Sequence, residues 1–486
     1  MSIIKIENLT FSYPSSYDTI FDNVNLVIDT DWKLGFIGRN GRGKTTLLHL
    51  LLKKYEYRGK IISSVPFDSF PYPVDNKKRM TYDILQEISP LAEEWEIIRE
   101  LSYLDVKIDV LYRSFETLSH GEQTKVLLAA LFLNHHHFLL IDEPTNHLDK
   151  DAREKVAAYL KKKKGFILVS HDRKFLDSCV DHILSLNRSN IEVQSGDFSS
   201  WIITFEQQQN LELEQNKQLK KDISRLQTAA IRSSIWSDKV EASKIGAPDK
   251  GFVGHKAAKM MKRSKAIEAR QQQAIEQKSL LLKNVETAEP LKMKVLEYHK
   301  NTLISFSDVC IFYDDAPIAK DISFTIQRGD RILLDGKNGS GKSSILKAIC
   351  STSITHTGTI TLGSGLIISY VPQDTSHVLG TLADFISKHH LNEQLFKAIL
   401  RKLDFKRSQF DKDMQTFSQG QKKKVLIAKS LCEEAHLYVW DEPLNFIDMY
   451  SRMQIEQLIL AFSPTMLFVE HDSAFQSAIA TKAIKL

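Results

Sequence analysis

The sequence predicts an α/β protein with two similar domains and a helical, basic segment between them. Three observations support this prediction. Four short motifs occur twice in the same order, apolar strand-like runs adjoin the glycine loops, and the excess positive charge is concentrated between the two copies. The predicted boundaries are 1–204 for the first domain, 205–300 for the linker and 301–486 for the second domain.

Composition excludes several classes of protein. The 486 residues are 42% hydrophobic and 26% charged, which is typical of a globular chain rather than a disordered one. No run of 18 apolar residues exists, and the start Met1–Glu7 lacks the basic head and long apolar stretch of a secretory signal. The four cysteines are scattered without a CxxC pair. A cytoplasmic location without disulfides is therefore expected.

An internal repeat organises the chain. Its landmarks are a glycine-loop lysine, a signature serine, an aspartate that ends an apolar run, and a histidine. They recur 298, 299, 299 and 300 residues apart, as Lys44 and Lys342, Ser119 and Ser418, Asp142 and Asp441, and His171 and His471. This constancy indicates a tandem duplication of one domain.

The elements of the first copy follow from its apolar runs. Residues 32–37 are predicted to form a strand that leads into the first glycine loop, and residues 46–51 open a helix after it. The runs 138–141 and 165–169 are typical of parallel strands that are buried on both faces.

Both glycine loops match GxxxxGK[ST], the pattern of a phosphate-binding loop. Glycines let backbone N–H groups approach phosphate oxygens, and the next helix adds the partial positive charge of its N-terminus. The lysine is expected to neutralise phosphate, and Thr45 and Ser343 to bind Mg²⁺. The predicted binding residues are Gly38, Arg39, Asn40, Gly41, Arg42, Gly43, Lys44, Thr45 and Thr46, and Gly336, Lys337, Asn338, Gly339, Ser340, Gly341, Lys342, Ser343 and Ser344.

Two acidic pairs follow apolar strands. Asp142 and Asp441 are predicted to hold Mg²⁺, and the next residues, Glu143 and Glu442, to polarise an attacking water. The alternative is a carboxylate that caps the following turn, but the motif recurs with a proline after it in both copies. His171 and His471 come just after a predicted strand, where ligands of open α/β sheets collect, and are predicted to sense the γ-phosphate.

Together, the glycine loops, the Ser-x-Gly signature, the Asp-Glu pairs and the histidines resemble an ABC-type ATPase. The resemblance implies two nucleotide domains that sandwich two ATP molecules, with Mg²⁺, in a head-to-tail arrangement. It pairs Lys44 with Ser418 and Gly420, and Lys342 with Ser119 and Gly121. It also assigns Tyr13 and Tyr313 as aromatic residues that stack on adenine.

Residues Glu143–Asp149 read Glu-Pro-Thr-Asn-His-Leu-Asp. They are similar to the signature of the ABC-F class and, within it, of its antibiotic-resistance ribosome-protection branch of the Lsa and Vga type. This resemblance implies a monomer without a membrane subunit that binds large-subunit RNA and the peptidyl-site tRNA. It would enter the ribosome from the tRNA exit site, displace lincosamide, pleuromutilin or streptogramin A drugs, and leave after hydrolysis.

The spacing within the copies supports the same branch. Only 75 residues separate Lys44 from Ser119, which leaves no room for the additional arm that other members carry, and only 15 residues follow His471. The second copy has Gln373 at the position of the Q-loop glutamine, where it would help to hold Mg²⁺ and water, whereas the first copy has Phe70-Pro71-Tyr72-Pro73. The two ATP sites are therefore expected to be unequal.

The linker is the basic part of the chain. Residues 205–300 hold 19 Lys and Arg against 12 Asp and Glu, and helices are predicted over 207–230 and 265–287. An antiparallel hairpin with a tip near 236–262 would present cations and aromatic rings to RNA. A simple spacer is the alternative. The residues expected to contact RNA are Trp236, Lys250, Phe252, Lys256, Lys259, Lys262 and Arg263.

Three other functions agree with parts of the sequence. The chain could be a housekeeping translation factor of the same class, the fused ATPase subunit of a sugar importer, or a DNA-associated ATPase. The basic helical insert has no evident role in an importer. Co-sedimentation of the ATP-loaded protein with ribosomes or with membranes discriminates between these alternatives.

Overall fold

The computed structural model describes residues 2–14, 19–146, 148–186, 191–242, 291–313, 316–337, 339–350 and 354–486, with single residues at 262, 266, 269, 270 and 273. For residues 229–242, 313 and 316 it describes the backbone. The chain divides into two units, one formed by residues 1–199 and 288–486, the other by residues 200–287. Both copies of the repeat thus belong to one unit.

Copy 1 contains two sheets. An antiparallel sheet has the order β2-β1-β4, from β1 (Ile3–Ser12), β2 (Thr19–Asp29) and β4 (Arg58–Ile62). The second sheet has the order β5-β6-β7-β3-β8-β9 and is parallel except for β9. Its strands are β3 (Lys33–Gly38), β5 (Phe67–Phe70), β6 (Phe138–Asp142), β7 (Phe166–Val169), β8 (His182–Leu186) and β9 (Ile191–Ser195).

The described helices of copy 1 lie between these strands in the chain. They are α1 (Lys44–Leu51), α2 (Thr81–Ile88), α3 (Glu94–Tyr103), α4 (His120–Leu131), α5 (Lys150–Lys161) and α6 (Arg173–Cys179). Three of them, α2 to α4, follow one another between β5 and β6. Two short 3₁₀ helices, Ile108–Tyr112 and Phe115–Thr117, join α3 to α4. We call residues 75–116 the helical layer of copy 1.

Copy 2 repeats this arrangement. Its antiparallel sheet has the order β11-β10-β13, and its parallel sheet the order β14-β15-β16-β12-β17. The strands are β10 (Thr302–Tyr313), β11 (Ala316–Gln327), β12 (Arg331–Asp335), β13 (His356–Leu362), β14 (Ile368–Val371), β15 (Leu437–Asp441), β16 (Met466–Val469) and β17 (Lys482–Lys485). The helices are α8 (Lys342–Cys350), α9 (Leu382–Lys388), α10 (Glu393–Lys402), α11 (Gln419–Cys432), α12 (Met449–Phe462) and α13 (Ser473–Ile479), with 3₁₀ turns at Arg407–Gln409 and Met414–Thr416.

The strand order places the predicted site residues at one edge of each sheet. The apolar side chains of β6, β7 and β15 are buried, which agrees with sheets covered on both faces. In copy 1, β7 lies between β6 and β3. The loops after these three strands therefore converge, and they carry Glu143, His171 and the first glycine loop. In copy 2, β16 lies between β15 and β12 and has the same effect.

The second unit contains most of one long helix. This helix, α7 (Phe198–Ala242), has 45 residues and is therefore about 68 Å long at 1.5 Å rise per residue. Leu219, Ile223 and Leu226, which are spaced by four and three residues, are half-buried along one face of it. The predicted second helix, over 265–287, lies almost wholly outside the described residues. Among the described residues, no helix combines the length and apolar composition needed to cross a membrane.

The second copy extends further toward the N-terminus than the linker assignment implies. Leu291 and Met293 lie within the predicted linker boundaries, 205–300, but are buried in the core of copy 2. The backbone N–H of Leu296 donates a hydrogen bond to the carbonyl of Ala435, just before β15. Apolar side chains spaced by two in a short extended segment explain this packing, because alternate residues of an extended chain face the same side.

Candidate functional site

The first candidate site is a cavity of about 640 Å³ that both copies line. Copy 1 contributes its glycine loop and the ends of β6 and β7, while copy 2 contributes the start of α11 and the loop after β15. The residues predicted for this site that line the cavity are Tyr13, Asn40, Gly41, Gly43, Lys44, Thr45, Thr46, Asp142, Glu143, His171, Ser418 and Gly420. The structure thus brings Lys44 together with the signature of the other copy.

The second candidate site is a cavity of about 920 Å³ with the two copies in exchanged roles. Copy 2 contributes its glycine loop, and copy 1 contributes the start of α4. The predicted residues that line this cavity are Ser119, Gly121, Lys337, Gly339, Gly341, Lys342, Ser343, Ser344, Gln373, Glu442 and His471. The two cavities therefore have the head-to-tail arrangement that the resemblance to ABC-type ATPases implied.

Each glycine loop supplies a lysine, Lys44 or Lys342, that lines its cavity. Gly43 (φ 108°) and Gly341 (φ 88°) adopt left-handed backbone conformations directly before α1 and α8, which glycine permits without a Cβ clash. Lys44 and Lys342 are both largely buried residues, and the amine of each donates to a carbonyl of its own loop at 2.7 Å, that of Gly38 or Gly336. Burial lowers the pKa of Lys44, while nearby carboxylates, first Asp448, oppose this shift.

A second helix N-terminus faces each glycine loop. Ser119 caps α4 and Ser418 caps α11, because each hydroxyl accepts a hydrogen bond from a backbone N–H three residues on, at 3.3 Å. An anion bound in either cavity would lie between the N-termini of two helices, one from each copy. Both ends carry partial positive charge, so the arrangement suits a polyphosphate.

Glu442 lies in a dense hydrogen-bond network. Its carboxylate contacts the His471 ring at 3.2 Å (Nε2 to Oε1) and accepts from the amides of Gln373 at 2.9 Å and Asn445 at 2.6 Å. Burial raises the pKa of Glu442, but the hydrogen bond and charge of His471, with the bond from Gln373, outweigh it and hold the pKa below its usual value. The carboxylate is therefore ionised at neutral pH, as a water-polarising base must be.

Among the described residues, Glu143 has fewer hydrogen-bonding partners in the first cavity, and one of them is the backbone of His171. His171 Nε2 lies 3.4 Å from its Oε1, and this buried oxygen accepts no hydrogen bond from any residue that the structure describes. Burial, followed by the negative charge of Asp142, raises the pKa of Glu143 to about 8. Burial, with the charge of Lys44, also holds the pKa of His171 well below its usual value.

Strand register explains the difference between the two glutamates. Phe70 of β5 lies opposite Ile141, and Val371 of β14 lies opposite Trp440, one residue before the Asp-Glu pair in each copy. Two residues after each of these strand ends, copy 1 therefore has Tyr72 where copy 2 has Gln373. The first copy lacks a glutamine at this position, as expected from its sequence.

The predicted metal ligands suit a divalent cation. Both carboxylate oxygens of Asp441 are buried without a hydrogen-bond partner in the described part of the chain, and burial raises the pKa of Asp441 to about 6. In the first cavity the Thr45 hydroxyl donates to Asp142 Oδ2 at 3.0 Å. Magnesium ions prefer carboxylate and hydroxyl oxygens, so Asp142 with Thr45, and Asp441 with Ser343 and Gln373, fit Mg²⁺.

One side of the first cavity, which Tyr13 and Ile20 line, is partly apolar. Tyr13 lines it, and its hydroxyl hydrogen-bonds Thr46 Oγ1 at 2.9 Å, while its ring meets Phe11 edge-on. Ile20 lines the first cavity and Ile318 the second, 298 residues apart like the glycine-loop lysines, so the repeat offset could have identified them. The Tyr313 side chain and Asn338 lie outside the described residues.

Several predicted binding residues do not line the cavities. Arg39 and Arg42 extend toward Asp404 of copy 2, each at 3.9 Å, and the guanidinium of Arg39 lies 5.3 Å from the ring centroid of Tyr450. These two arginines join the copies behind the glycine loop. Gly38 and Gly336 contribute carbonyls to the lysines, and Ser340 Oγ is buried within its loop.

Three contacts across the copies were not predicted. The Asn40 amide donates to the carbonyl of Phe446 at 2.9 Å, and a Cβ on Gly420 would lie 2.4 Å from that same oxygen. Arg153 donates from Nη1 to Asp172 of its own copy at 3.0 Å and to the carbonyl of His471 at 3.2 Å. Arg173 forms an ion pair with Glu456. The residue types alone do not predict these contacts across the copies, because the partners are 283 to 406 residues apart in the sequence.

Most residues predicted to contact RNA lie outside the described part of the chain. These are Lys250, Phe252, Lys256, Lys259 and Arg263. Trp236 belongs to α7, for which only the backbone is described at that position, and Lys262 is helical and exposed. Their role in RNA binding remains a prediction.

Known proteins share this architecture. The family model described as ABC transporter matches residues 21–146 and 319–445. The ribosome protection protein VmlR of Bacillus subtilis is 27% identical over 489 residues, covering 97% of this chain and 84% of that protein. The ATP-binding protein Uup of Buchnera aphidicola is 27% identical over 501 residues, covering 98% of this chain and 79% of its own length.

A solved structure has the same fold. It is an archaeal ribosome recycling factor in complex with a ribosomal stalk protein, with a TM-score of 0.65 and 19% identity. The match covers 98% of this chain and 87% of that one. The family model matches both copies and covers more than half of the sequence. The alignments with the two relatives cover 97% and 98% of this chain. The chain therefore belongs to the ABC transporter family, as an ATPase with two tandem ATP-binding domains.

Proposed function

We propose that this ATPase protects the ribosome from antibiotics that act at the peptidyl-transferase centre, namely lincosamides, pleuromutilins and group A streptogramins. The ATP-bound monomer binds in the cytoplasm, at the tRNA exit site, without a membrane subunit. The segment between the two copies contacts large-subunit RNA and the peptidyl-site tRNA and displaces the drug. Hydrolysis of ATP then releases the protein.

The observation that carries this proposal is the likeness, over 97% of the chain, to a relative named as a ribosome protection protein. The arrangement of the two cavities supports it, since ATP bound in them would hold the two copies together. A switch between ATP-bound and free forms provides a way to couple binding of a large partner to hydrolysis.

Each site residue has a proposed role. Lys44 and Lys342 neutralise the β- and γ-phosphates, with the N-termini of α1 and α8. Glu143 and Glu442 polarise the attacking water, and His171 and His471 contact the γ-phosphate. Asp142 with Thr45, and Asp441 with Ser343 and Gln373, would hold Mg²⁺, which would supply positive charge to the phosphates. In each cavity the copy opposite the glycine loop contributes its signature residues. These are Ser418 with Gly420 in the first cavity and Ser119 with Gly121 in the second.

The segment between the copies has the properties that RNA binding requires. Residues 231–270 contain 10 Lys and Arg against 4 Asp and Glu, and Trp236 and Phe252 lie among them. Cations release counter-ions from phosphates, and aromatic rings stack on unpaired bases. A helix of about 68 Å, such as α7, is long enough to extend deep into a large particle.

The test is drug susceptibility of a sensitive host that expresses the protein, measured across ribosome-targeting classes. Higher inhibitory concentrations are expected for the three named classes and not for drugs that bind the small subunit. In parallel, the Glu143→Gln/Glu442→Gln protein loaded with ATP should sediment with ribosomes. Sedimentation without any change in susceptibility would refute the resistance role.

Deletion of residues 246–254 tests the role of the linker tip. Basal ATP hydrolysis should be nearly unchanged, because none of the cavity residues lies there, while resistance should be lost. Replacement of Lys256, Lys259, Lys262 and Arg263 by Ala should instead weaken ribosome binding and flatten its salt dependence. Full protection by the deletion variant would make the tip a spacer.

A housekeeping translation factor is the second candidate. The ATP-binding protein Uup is as similar to this chain as VmlR is, at 27% identity, and its name states ATP binding but no resistance role. Such a factor would sediment with ribosomes and slow growth when trapped by the glutamate variants, but would leave drug susceptibility unchanged. The susceptibility test therefore separates the two candidates.

A further inference from the structure

The helical layer of copy 1 exposes a set of large apolar side chains. Leu91, Trp95, Ile108 and Tyr112, which we call the aromatic face, are each at least half exposed. Trp95 lies in the first turn of α3, and Tyr112 ends the following 3₁₀ helix. Tyr112 is joined to α3 by a hydrogen bond from its hydroxyl to Glu94 Oε1 at 2.9 Å. None of these side chains lines an ATP cavity.

Copy 2 shows that the fold does not need apolar residues at these positions. The helices α3 and α10, and the 3₁₀ helices after them, begin 299 residues apart. The residues of copy 2 that correspond to the aromatic face are all polar, namely His390, Gln394, Arg407 and Asp411. Copy 2 exposes Leu379 and Leu395 in its own layer, but no Phe, Tyr or Trp among its described residues there. Exposed aromatic clusters that the fold does not require mark interaction sites.

Carboxylates surround the aromatic face. Trp95 donates its indole N–H to Glu93, and Tyr112 donates to Glu94. The guanidinium of Arg99 lies 5.0 Å from the ring centroid of Trp95, so this ring already contacts a cation. The cationic side chains of a partner could pair with these carboxylates, and its apolar side chains could pack on the rings.

The net charge of the layer favours a protein partner over RNA. Residues 75–116 hold ten Asp and Glu against six Lys and Arg, while the matching residues 374–415 of copy 2 hold six against seven. An acidic surface repels a phosphate backbone, whereas it attracts a basic protein segment and steers it to the contact.

We propose that the aromatic face docks a Lys- and Arg-rich segment of a ribosomal protein. The apolar side chains of this segment pack on Trp95 and Tyr112, and its cationic groups pair with Glu93 and Glu94. The inference rests on the proposed ribosome binding. It assigns to copy 1 a contact that copy 2 does not make.

The test replaces three residues of the aromatic face by their counterparts in copy 2, which that copy of the fold accommodates. The variant Trp95→Gln/Ile108→Arg/Tyr112→Asp is made in the ATP-trapped Glu143→Gln/Glu442→Gln protein. We expect the Kd for ribosomes to rise by about 10-fold or more, because buried Trp and Tyr side chains dominate interfaces. The reciprocal control, Leu395→Glu in copy 2, should not change the Kd. Melting temperature and nucleotide binding should match those of the parent.

The partner is identified by photo-cross-linking on ribosomes, with benzoylphenylalanine in place of Tyr112. An adduct with a basic stretch of a ribosomal protein is expected. An adduct with ribosomal RNA, or an unchanged Kd of the triple variant while the parent sediments with ribosomes, would overturn this assignment alone. If the parent itself does not sediment, the proposed function fails, and this docking site fails with it.

Discussion

The two candidate ATP sites are built from the same motifs and differ in what surrounds the glutamate that is proposed to polarise water. Glu442 is within hydrogen-bonding distance of His471, Gln373 and Asn445, whereas Glu143 has His171 at 3.4 Å and a buried oxygen without a described hydrogen-bond partner. Duplicated motifs therefore do not guarantee equivalent chemistry. The environment of each carboxylate shifts its pKa in a different direction, and the proposed polarisation of water depends on that shift.

The carboxyl groups of the two glutamates differ in how far they are ionised at neutral pH. With a pKa of about 8, Glu143 is roughly one-tenth ionised at pH 7, while Glu442, with a lowered pKa, is fully ionised. A neutral carboxyl group cannot accept a proton from water, so the second site should turn over ATP faster. The first site would then mainly bind ATP and hold the copies together.

The largest expected effect comes from removing each glutamate singly. Glu442→Gln should lower steady-state phosphate release about 20-fold or more, whereas Glu143→Gln should lower it less than about 3-fold, because general-base catalysis is concentrated in the second site. The double variant should lose turnover and still bind ATP, since the glycine loops are intact. Equal losses from the two single variants would refute the inequality of the sites.

The pH dependence of the single variants should also differ. In Glu442→Gln, where only the first site remains, turnover should rise roughly 10-fold from pH 7 to pH 9 as Glu143 loses its proton with a pKa of about 8. The sign follows from the raised pKa, because the active base is the ionised form. Glu143→Gln should give a nearly flat profile over this range. A flat profile from both variants would show that Glu143 is ionised at neutral pH.

A smaller effect is expected from exchanging the residues at the Q-loop position. Tyr72→Gln in the Glu442→Gln background should raise turnover of the first site about 3- to 10-fold, because a new hydrogen bond to the carboxylate stabilises its ionised form. Gln373→Tyr in the Glu143→Gln background is the matched change and should lower turnover of the second site. No gain from Tyr72→Gln, with ATP affinity retained, would assign the inequality to another residue.

The sequence predicted the parts of the site whose chemistry lies in one residue type at a fixed spacing. Lys44, Asp142 and His171 fall where the α/β pattern places them, at the ends of neighbouring strands. Contacts across the copies, such as that of Asn40 with the Phe446 carbonyl, could not be predicted, because they depend on how the two domains pack.

The ionisation of Glu143 was also beyond prediction. The absent glutamine was visible in the sequence, but its effect on the carboxylate depends on burial and on the nearby charge of Asp142. The predicted linker extends to residue 300, although Leu291 already packs in the core of copy 2. Charge composition, on which this boundary rests, does not detect a short extended segment that packs on the core. Both features arise from tertiary contacts.

The smallest expected effect comes from replacing Arg153 of copy 1, which tests whether this residue positions His471 in the second site. Arg153 holds Asp172 of its own copy and the carbonyl of His471 with one guanidinium nitrogen, and both arginine and aspartate are largely buried. Arg153→Lys keeps the charge but loses the planar array of donors. We expect kcat of the second site, measured in the Glu143→Gln background, to fall about 3-fold with KM unchanged.

Arg173 provides the matched control for this change. It also bridges the copies, but to Glu456 and not to the histidine. If Arg153 acts by positioning His471, Arg173→Lys should leave kcat unchanged, although both variants remove an arginine from the same interface. Equal losses from the two variants would mean that any loosening of the interface slows hydrolysis. The second site would then respond to closure of the copies as a whole, and the contact of Arg153 with His471 would have no separate role.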